Sequence, residues 1–400
     1  MALYYYMNEN EDENEDKSKT KDKKNFVRER EREQTSYKNK NDNMKKICMF
    51  WTLLCLVASC DNQLGVVEEI AKEVSKKDSA SVICNDMALE KEVWKILQEG
   101  MTEYSCEKGN VYVVETASGA IKAKVSLIMK GNEFIPNEDT FNNERCDILM
   151  APTFLALIST GEISSKSYID TGCGVYKDVK DHNWRKGGYG VITMEEALYY
   201  WSRVAFTKVK EDTFGNNTTS FDNTISSYLA GMPDNPMGIL TFYNAVANDG
   251  KMVKLRNEGD NPIVLNEQIA EPEHVKALQM GLRHAVEYGL YKRAGRNYTS
   301  VAACGRTFLI DVNKRRMELF GYFPSDKPLY TIMVILEKEE LPASAGGMCS
   351  LIMARTIDSI VELYNLNPIL NRYSEELEDT EIQNESEVVC DTVAAVTEYS

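Results

Sequence analysis

Apolar positions along this chain follow two rhythms, and the rhythm changes more than once. From Asp86, the residues Leu89, Val93, Ile96 and Leu97 fall at i, i+4, i+7 and i+8, one face of a helix that Gly100 closes. The stretch NVYVVETASGAIKAKVSL, Asn110 to Leu127, then carries β-branched residues on both sides of Ser118-Gly119 and predicts strand, turn, strand. A polar stretch to Arg145 gives way to an apolar helix within Ala151 to Ser159. Thr193 is placed to cap a helix that runs into EALYYWSRVAF, Glu196 to Phe206, where an indole and a cation interrupt small and aliphatic residues. MGILTFYNAVANDGK predicts another helix ending at Asp249-Gly250, and Pro272 opens a long one, PEHVKALQMGLRHAVEYG, stopped at Gly289. After that the period returns to two. RTFLIDV, RRMELFGYFP and PLYTIMVIL predict three successive strands, and Met348 to Tyr364 a last helix after Ala345-Gly346-Gly347. The order implies an α+β domain: an antiparallel sheet built from both ends of the sequence, flanked by helices, with an all-helical insertion. No internal repeat is present.

The termini do not share this patterning. Residues 1–43 carry NENEDENEDKSKTKDKK and RERERE with almost no aliphatic residues, a composition that cannot offset its own ordering entropy and predicts disorder. Between Ser374 and Ser400 there are nine Asp or Glu and no Lys or Arg, so more than half of the net charge of −16 sits in an acidic tail, residues 367–400, expected to be disordered. The remaining body is mildly acidic and has no basic stripe, which argues against a nucleic-acid partner.

The ten cysteines contain no C-x-x-C, and the three histidines, His182, His274 and His284, lack H-E-x-x-H spacing, so neither a metal site nor a cofactor is expected. Three cysteines lie in MKKICMFWTLLCLVASC, residues 44–60. Two lysines precede 13 apolar or small residues, Ile47 to Ser59. At about 1.5 Å per residue these cannot cross a hydrocarbon core of about 30 Å, which fits a signal peptide better than a spanning helix. Its end, Val57-Ala58-Ser59-Cys60, resembles a bacterial lipobox. That resemblance implies translation from Met44 with residues 1–43 an upstream extension, lipidation at Cys60, a linker over 61–85, and an extracytoplasmic protein anchored in the bacterial envelope.

The segment 86–366 resembles the transpeptidase domain of penicillin-binding proteins, in particular the class B type. Four strings carry the resemblance in the family's order: VVETASGAIKAKVSL, DTGCGVYKDVKDHNWRKGGYGVITMEEAL, LTFYNAVANDGKMVK and FGYFPSDKPLYTIMVIL. It implies a β-lactamase/transpeptidase-like fold and a cleft built from three motifs: S-x-x-K for the nucleophile and its base, S-x-N for a proton-shuttling hydroxyl and a substrate-holding amide, and K-[TS]-G on a strand. By position none is intact. Gapless matching of ERCDILMAPTFLALISTGEI puts Asp147 at the serine and Met150 at the lysine. Trp201, Ser202 and Arg203 fall on Ser-Ser-Asn, where the surviving middle serine carries no chemistry in the family.

The third motif has two placements. Either Cys304-Gly305-Arg306 occupies Lys-Thr-Gly, or a two-residue shift puts Arg306-Thr307-Phe308 there, keeping a cation and a hydroxyl for substrate binding but replacing the glycine. Outside residues 1–43 the only S-x-x-K is Ser105 to Lys108, before the first strand. Cys304 is either a displaced nucleophile or an inert buried thiol. Arg203 either pairs with Asp147 across the cleft or extends to solvent. The implied function is a lipid-anchored homologue, catalytically silent, that binds peptidoglycan, a cell-wall peptide or an envelope protein. The competing expectation is an active D,D-transpeptidase with rearranged groups.

Overall fold

The computed structural model describes residues 86–137, 150–215, 217–229, 235–257 and 260–371. The signal segment with Cys60, the position of Asp147, and the chain beyond Asn371 lie outside the described residues, as do the expectations placed on them.

Helix α1 (Met87–Glu103) is followed by β1 (Lys108–Glu115), β2 (Ile121–Lys130) and β3 (Glu133–Pro136). Helix α2 (Met150–Ser159) leads to β4 (Tyr168–Asp170), the ribbon of β5 (Val175–Tyr176) and β6 (Val179–Lys180), and then β7 (Val191–Thr193), which pairs with β4. The helical block contains α3 (Met194–Tyr199), α4 (Arg203–Phe214), α5 (Thr218–Tyr228) and α6 (Pro236–Ala247). A small ribbon of β8 (Met252–Val253) and β9 (Val264–Asn266) precedes α7 (Pro272–Glu287). The chain closes with β10 (Ala302–Leu309), β11 (Arg315–Phe323), β12 (Tyr330–Lys338) and α8 (Ser350–Tyr364).

One antiparallel sheet in the order β10-β11-β12-β1-β2-β3 joins the two ends of the sequence, with Val111 of β1 lying opposite Val334 of β12. Successive residues of a strand point to opposite faces, and this register divides the core. Leu336, opposite Met317, lies close to Leu97 and Met101 of α1 around Gly109, whereas Phe320 stacks on Tyr243 of α6. Helices α1 and α8 therefore cover one face, and α6 with the helical block covers the other. Helix α2 is buried from Ala151 to Ile158, as its largely apolar run requires, and only its first turn reaches a cleft.

Two elements depart from the sequence expectation. The polar stretch after β2 contains β3, whose Phe134 and Ile135 pair with Met129 and Ile128 at the sheet edge, where flanking polar residues conceal a short half-buried strand. Helix α5, TTSFDNTISSY, is polar along most of its length, yet Phe221, Ile225 and Tyr228 at i, i+4 and i+7 form a buried face that the sequence expectation did not include. The cap at Thr193 forms as a full capping box: its hydroxyl accepts from Glu196 N at 3.1 Å, and Glu196 Oε2 accepts from Thr193 N at 2.7 Å.

Candidate functional site

Of the predicted motif positions, Met150, Trp201, Arg203 and Arg306 to Phe308 meet around one open cleft of about 620 Å³, whereas Ser202, Cys304 and Gly305 are buried away from it. Met150 and Thr153 come from the start of α2, Trp201 from the turn between α3 and α4, and Arg306 to Leu309 from β10. Arg203, Phe206, Thr207 and Lys210 of α4 supply a further wall; their i, i+3, i+4, i+7 spacing is a single helix face. Phe221 of α5 and Arg315 of β11 complete the described lining.

The expected second-motif position, Trp201 to Arg203, forms a turn between two helices. EALYYWSRVAF does not form a continuous helix: α3 stops at Tyr199 and α4 starts at Arg203, with Trp201 between them at φ 54°. A bulky side chain in the left-handed region costs about 1 to 3 kcal/mol, so surrounding contacts must hold the turn. Ser202, fully buried, caps α4 by accepting from Ala205 N at 3.1 Å and donates to Asp181 Oδ2 at 2.9 Å. Val204 N donates to Asp181 Oδ1 at 3.0 Å. Burial raises the Asp181 carboxyl above its usual range, and the backbone and hydroxyl donors pull in the other direction. Ser202 is thus a cap tied to a buried carboxylate, while Trp201 and Arg203 on either side border the cleft.

A second support lies beside this turn. Tyr189 stacks on Tyr200 with ring centroids 4.9 Å apart, and its hydroxyl meets His182 Nε2 at 2.7 Å. Burial lowers the His182 imidazole to about 4. Because the folded state holds His182 neutral, its contribution to stability is complete above the unfolded value near 6.5 and is lost as pH falls from there toward 4. Between neutral pH and pH 5 this loss amounts to about 2 kcal/mol. Urea unfolding of the protein and of His182→Gln at both pH values measures it; the variant is expected to show a shallower decline, and parallel curves would contradict the assignment.

On β10 the two placements of the third motif separate in space. Cys304 is fully buried and burial pushes its thiol up to about 12, which leaves it inert. Gly305 is buried too, with its carbonyl accepting from the Tyr291 hydroxyl. Arg306, Thr307 and Phe308 border the cleft. The Arg306 guanidinium lies 3.6 Å from the Phe308 ring centroid and its Nε is 3.9 Å from Glu318 Oε2, while Thr307 Oγ1 accepts from Ala345 N at 2.9 Å. Ser105, at φ 55° after α1, and Lys108 at the start of β1 do not line the cleft. Among the described residues no three His, Cys, Asp or Glu gather as metal ligands, and no helix is long and apolar enough to cross a membrane.

Residues 210–357 match the family model described as penicillin binding protein transpeptidase domain. Over this span the chain is similar to the penicillin-binding-protein transpeptidase domain. The matched span starts beyond the first two motif positions and includes the third. Among solved structures, the apo transpeptidase domain of Burkholderia pseudomallei penicillin-binding protein 3 superposes with a TM-score of 0.58 at 14% identity, covering 71% of this chain and 96% of that one. A peptidoglycan glycosyltransferase from Burkholderia ambifaria gives 0.57 at 16%, covering 71% and 98%. At these identities the likeness concerns the fold. No curated protein matches the chain.

The transpeptidase-type cleft also contains a pair that a search for serine motifs passes over. Thr207 and Lys210 lie one turn apart on α4 and both line the cleft. A search for T-x-x-K, combined with the helical face of α4, would have found them. Lys210 Nζ sits 3.8 Å from the Phe221 ring centroid, a cation–π contact that commits the ammonium to the aromatic wall.

Proposed function

We propose that this transpeptidase-domain homologue binds a cell-wall peptide or an envelope protein without acylating it, and that it works outside the cytoplasm, lipid-anchored through Cys60. One observation supports the silent reading most strongly: the cleft lining among the described residues includes no serine and no cysteine, and Ser202, the serine left at the second motif, is fully buried under the Asp181 carboxylate. Acyl transfer in this family starts from an activated hydroxyl beside a base. Met150 offers a thioether in the base's place, and a thioether cannot take up the proton.

The Thr207–Lys210 pair favours the competing reading, an acyl enzyme with rearranged groups, because spacing and location suit a nucleophile and its base. Membranes from bacterial cells producing the full chain, treated with a fluorescent penicillin and run under denaturing conditions, separate the two. The protein is expected in the membrane fraction, without covalent label, and in the soluble fraction once Cys60 is changed to Ser. A labelled band that disappears in Thr207→Ala would replace the silent reading with an acyl-threonine enzyme. Membrane association unchanged in Cys60→Ser would remove the lipid anchor.

A further inference from the structure

The cleft's charge indicates what it binds. Four cations, Arg203, Lys210, Arg306 and Arg315, border it, and its described lining contains no Asp or Glu. In a chain of net charge −16 this local excess is the reverse of the average surface. Arg203 is exposed, and although its charge acts on the buried Asp181 carboxyl, no salt bridge joins it to a carboxylate among the described residues. Arg315 is only 6% exposed, yet among the described residues its hydrogen bonding is a single 3.5 Å contact to the Asn313 carbonyl, with no carboxylate in ion-pair range. A guanidinium buried to that degree calls for a counter-charge.

The shape of the cleft adds a second constraint. Strand β10 is an edge strand with β11 as its one neighbour in the sheet. Arg306 and Phe308 lie on the face toward the helical block, in register with Glu318 and Arg316. Thr307 and Leu309 point to the other face, and Leu309 lies directly opposite Arg315. The cleft therefore follows the strand's edge with cations on both sides of it. An extended chain laid along that edge meets main-chain donors and acceptors at strand spacing, and its alternate side chains reach the two cationic walls.

We propose that this cleft binds an extended acidic peptide segment, its alternate carboxylates meeting Arg203, Lys210 and Arg306 on one side and Arg315 on the other. The proposal rests on the reading of the cleft as a non-acylating binding site and names its ligand class. A polymer of phosphates would engage the cations alone, without using the strand edge.

Fluorescence anisotropy with the full chain tests this, using labelled hexaglutamate, its hexaglutamine counterpart and linear inorganic polyphosphate of matching charge. Hexaglutamate is expected to bind at least about ten-fold more tightly than hexaglutamine, and to weaken several-fold between low and moderate salt. Arg203→Gln and Lys210→Gln should each weaken it about five-fold, and Lys95→Gln, on the exposed side of α1, should leave it unchanged. Equal affinity for the two peptides, or losses not confined to the cleft variants, would overturn the proposal. Tighter binding of polyphosphate would make the ligand a phosphate polymer instead. None of these outcomes alters penicillin labelling, so failure here and failure of the silent reading are distinguishable.

Discussion

Glu337→Ala is expected to lower the free energy of unfolding by about 3 to 5 kcal/mol, because it leaves a buried guanidinium without its carboxylate. Arg316 donates from Nε at 2.9 Å and from Nη2 at 2.5 Å to Glu337 Oε1, with the two side chains 3% and 5% exposed. The pair lies directly across β11 and β12, Arg316 opposite Glu337. It belongs to a chain of charges running along the sheet: Lys314 Nζ lies 3.8 Å from Glu337 Oε2, Arg316 Nη1 lies 4.0 Å from Glu318 Oε1, and Glu318 in turn faces Arg306. Removing Glu337 takes away both of those hydrogen bonds and tips the cluster toward positive charge. The midpoint of urea unfolding, with the slope unchanged, measures the loss. Replacing both partners with apolar residues, Arg316→Met with Glu337→Leu, is expected to recover part of it, since the guanidinium leaves with its carboxylate while Glu318 keeps Arg306 and Lys314 keeps Glu107. A double variant as unstable as Glu337→Ala would mean that packing, and not charge, sets the cost.

This cluster marks where sequence reading gave out. RRMELFGYFP reads as a strand, and it is one, but its charges suggest a solvated face, whereas every position from Arg315 to Phe323 is buried. Only the strand order and register place Arg316 against Glu337 and Glu318 against Arg306, and neither is contained in a local pattern. Elements with strong apolar patterns were legible for the opposite reason. The nearly continuous apolar runs of β1 and β12, buried on both faces, and the i, i+4 faces of α1 and α7 are imposed by which sides of each element are buried, so the sequence carries them directly. The four-residue edge strand β3 left no comparable trace, and in α5 the buried face of Phe221, Ile225 and Tyr228 is diluted by the polar residues between them.

The cleft was legible in part. Matching motif positions placed Met150, Trp201, Arg203 and Arg306 to Phe308, and these residues do border one cavity. Other residues line the cavity from outside those positions, on the inward face of α4. Thr207 and Lys210 share a helical face with Phe206 that the sequence already marks, but the turn at Trp201 is what aims that face at the cleft. The same turn depends on Asp181, whose buried hydrogen bonds to Ser202 and Val204 span about twenty residues of chain that carry no motif.

Gly305→Ala is expected to cost about 3 kcal/mol or more, and to do so at the wall of the cleft. A Cβ at this position would sit 2.1 Å from the Glu318 carbonyl oxygen and 2.9 Å from Leu319 Cα, backbone atoms of the neighbouring strand. A flexible side chain could swing away, but here β10 and β11 must separate, stretching the ladder that pairs Gly305 with Leu319 and Arg306 with Glu318. Because β10 has no strand on its other side, the displacement would move it outward and carry Arg306, Thr307 and Phe308 with it. Gly131→Ala provides the contrast: its Cβ would meet nothing within 4 Å, so the strain of φ 63° alone sets the penalty, about 1 kcal/mol. Thermal and urea unfolding of the two variants are expected to differ in that order, with hexaglutamate binding weakened only in Gly305→Ala. Equal stability of the two would show that β10 yields without cost, and that the edge lining the cleft is held less firmly than its register with β11 implies.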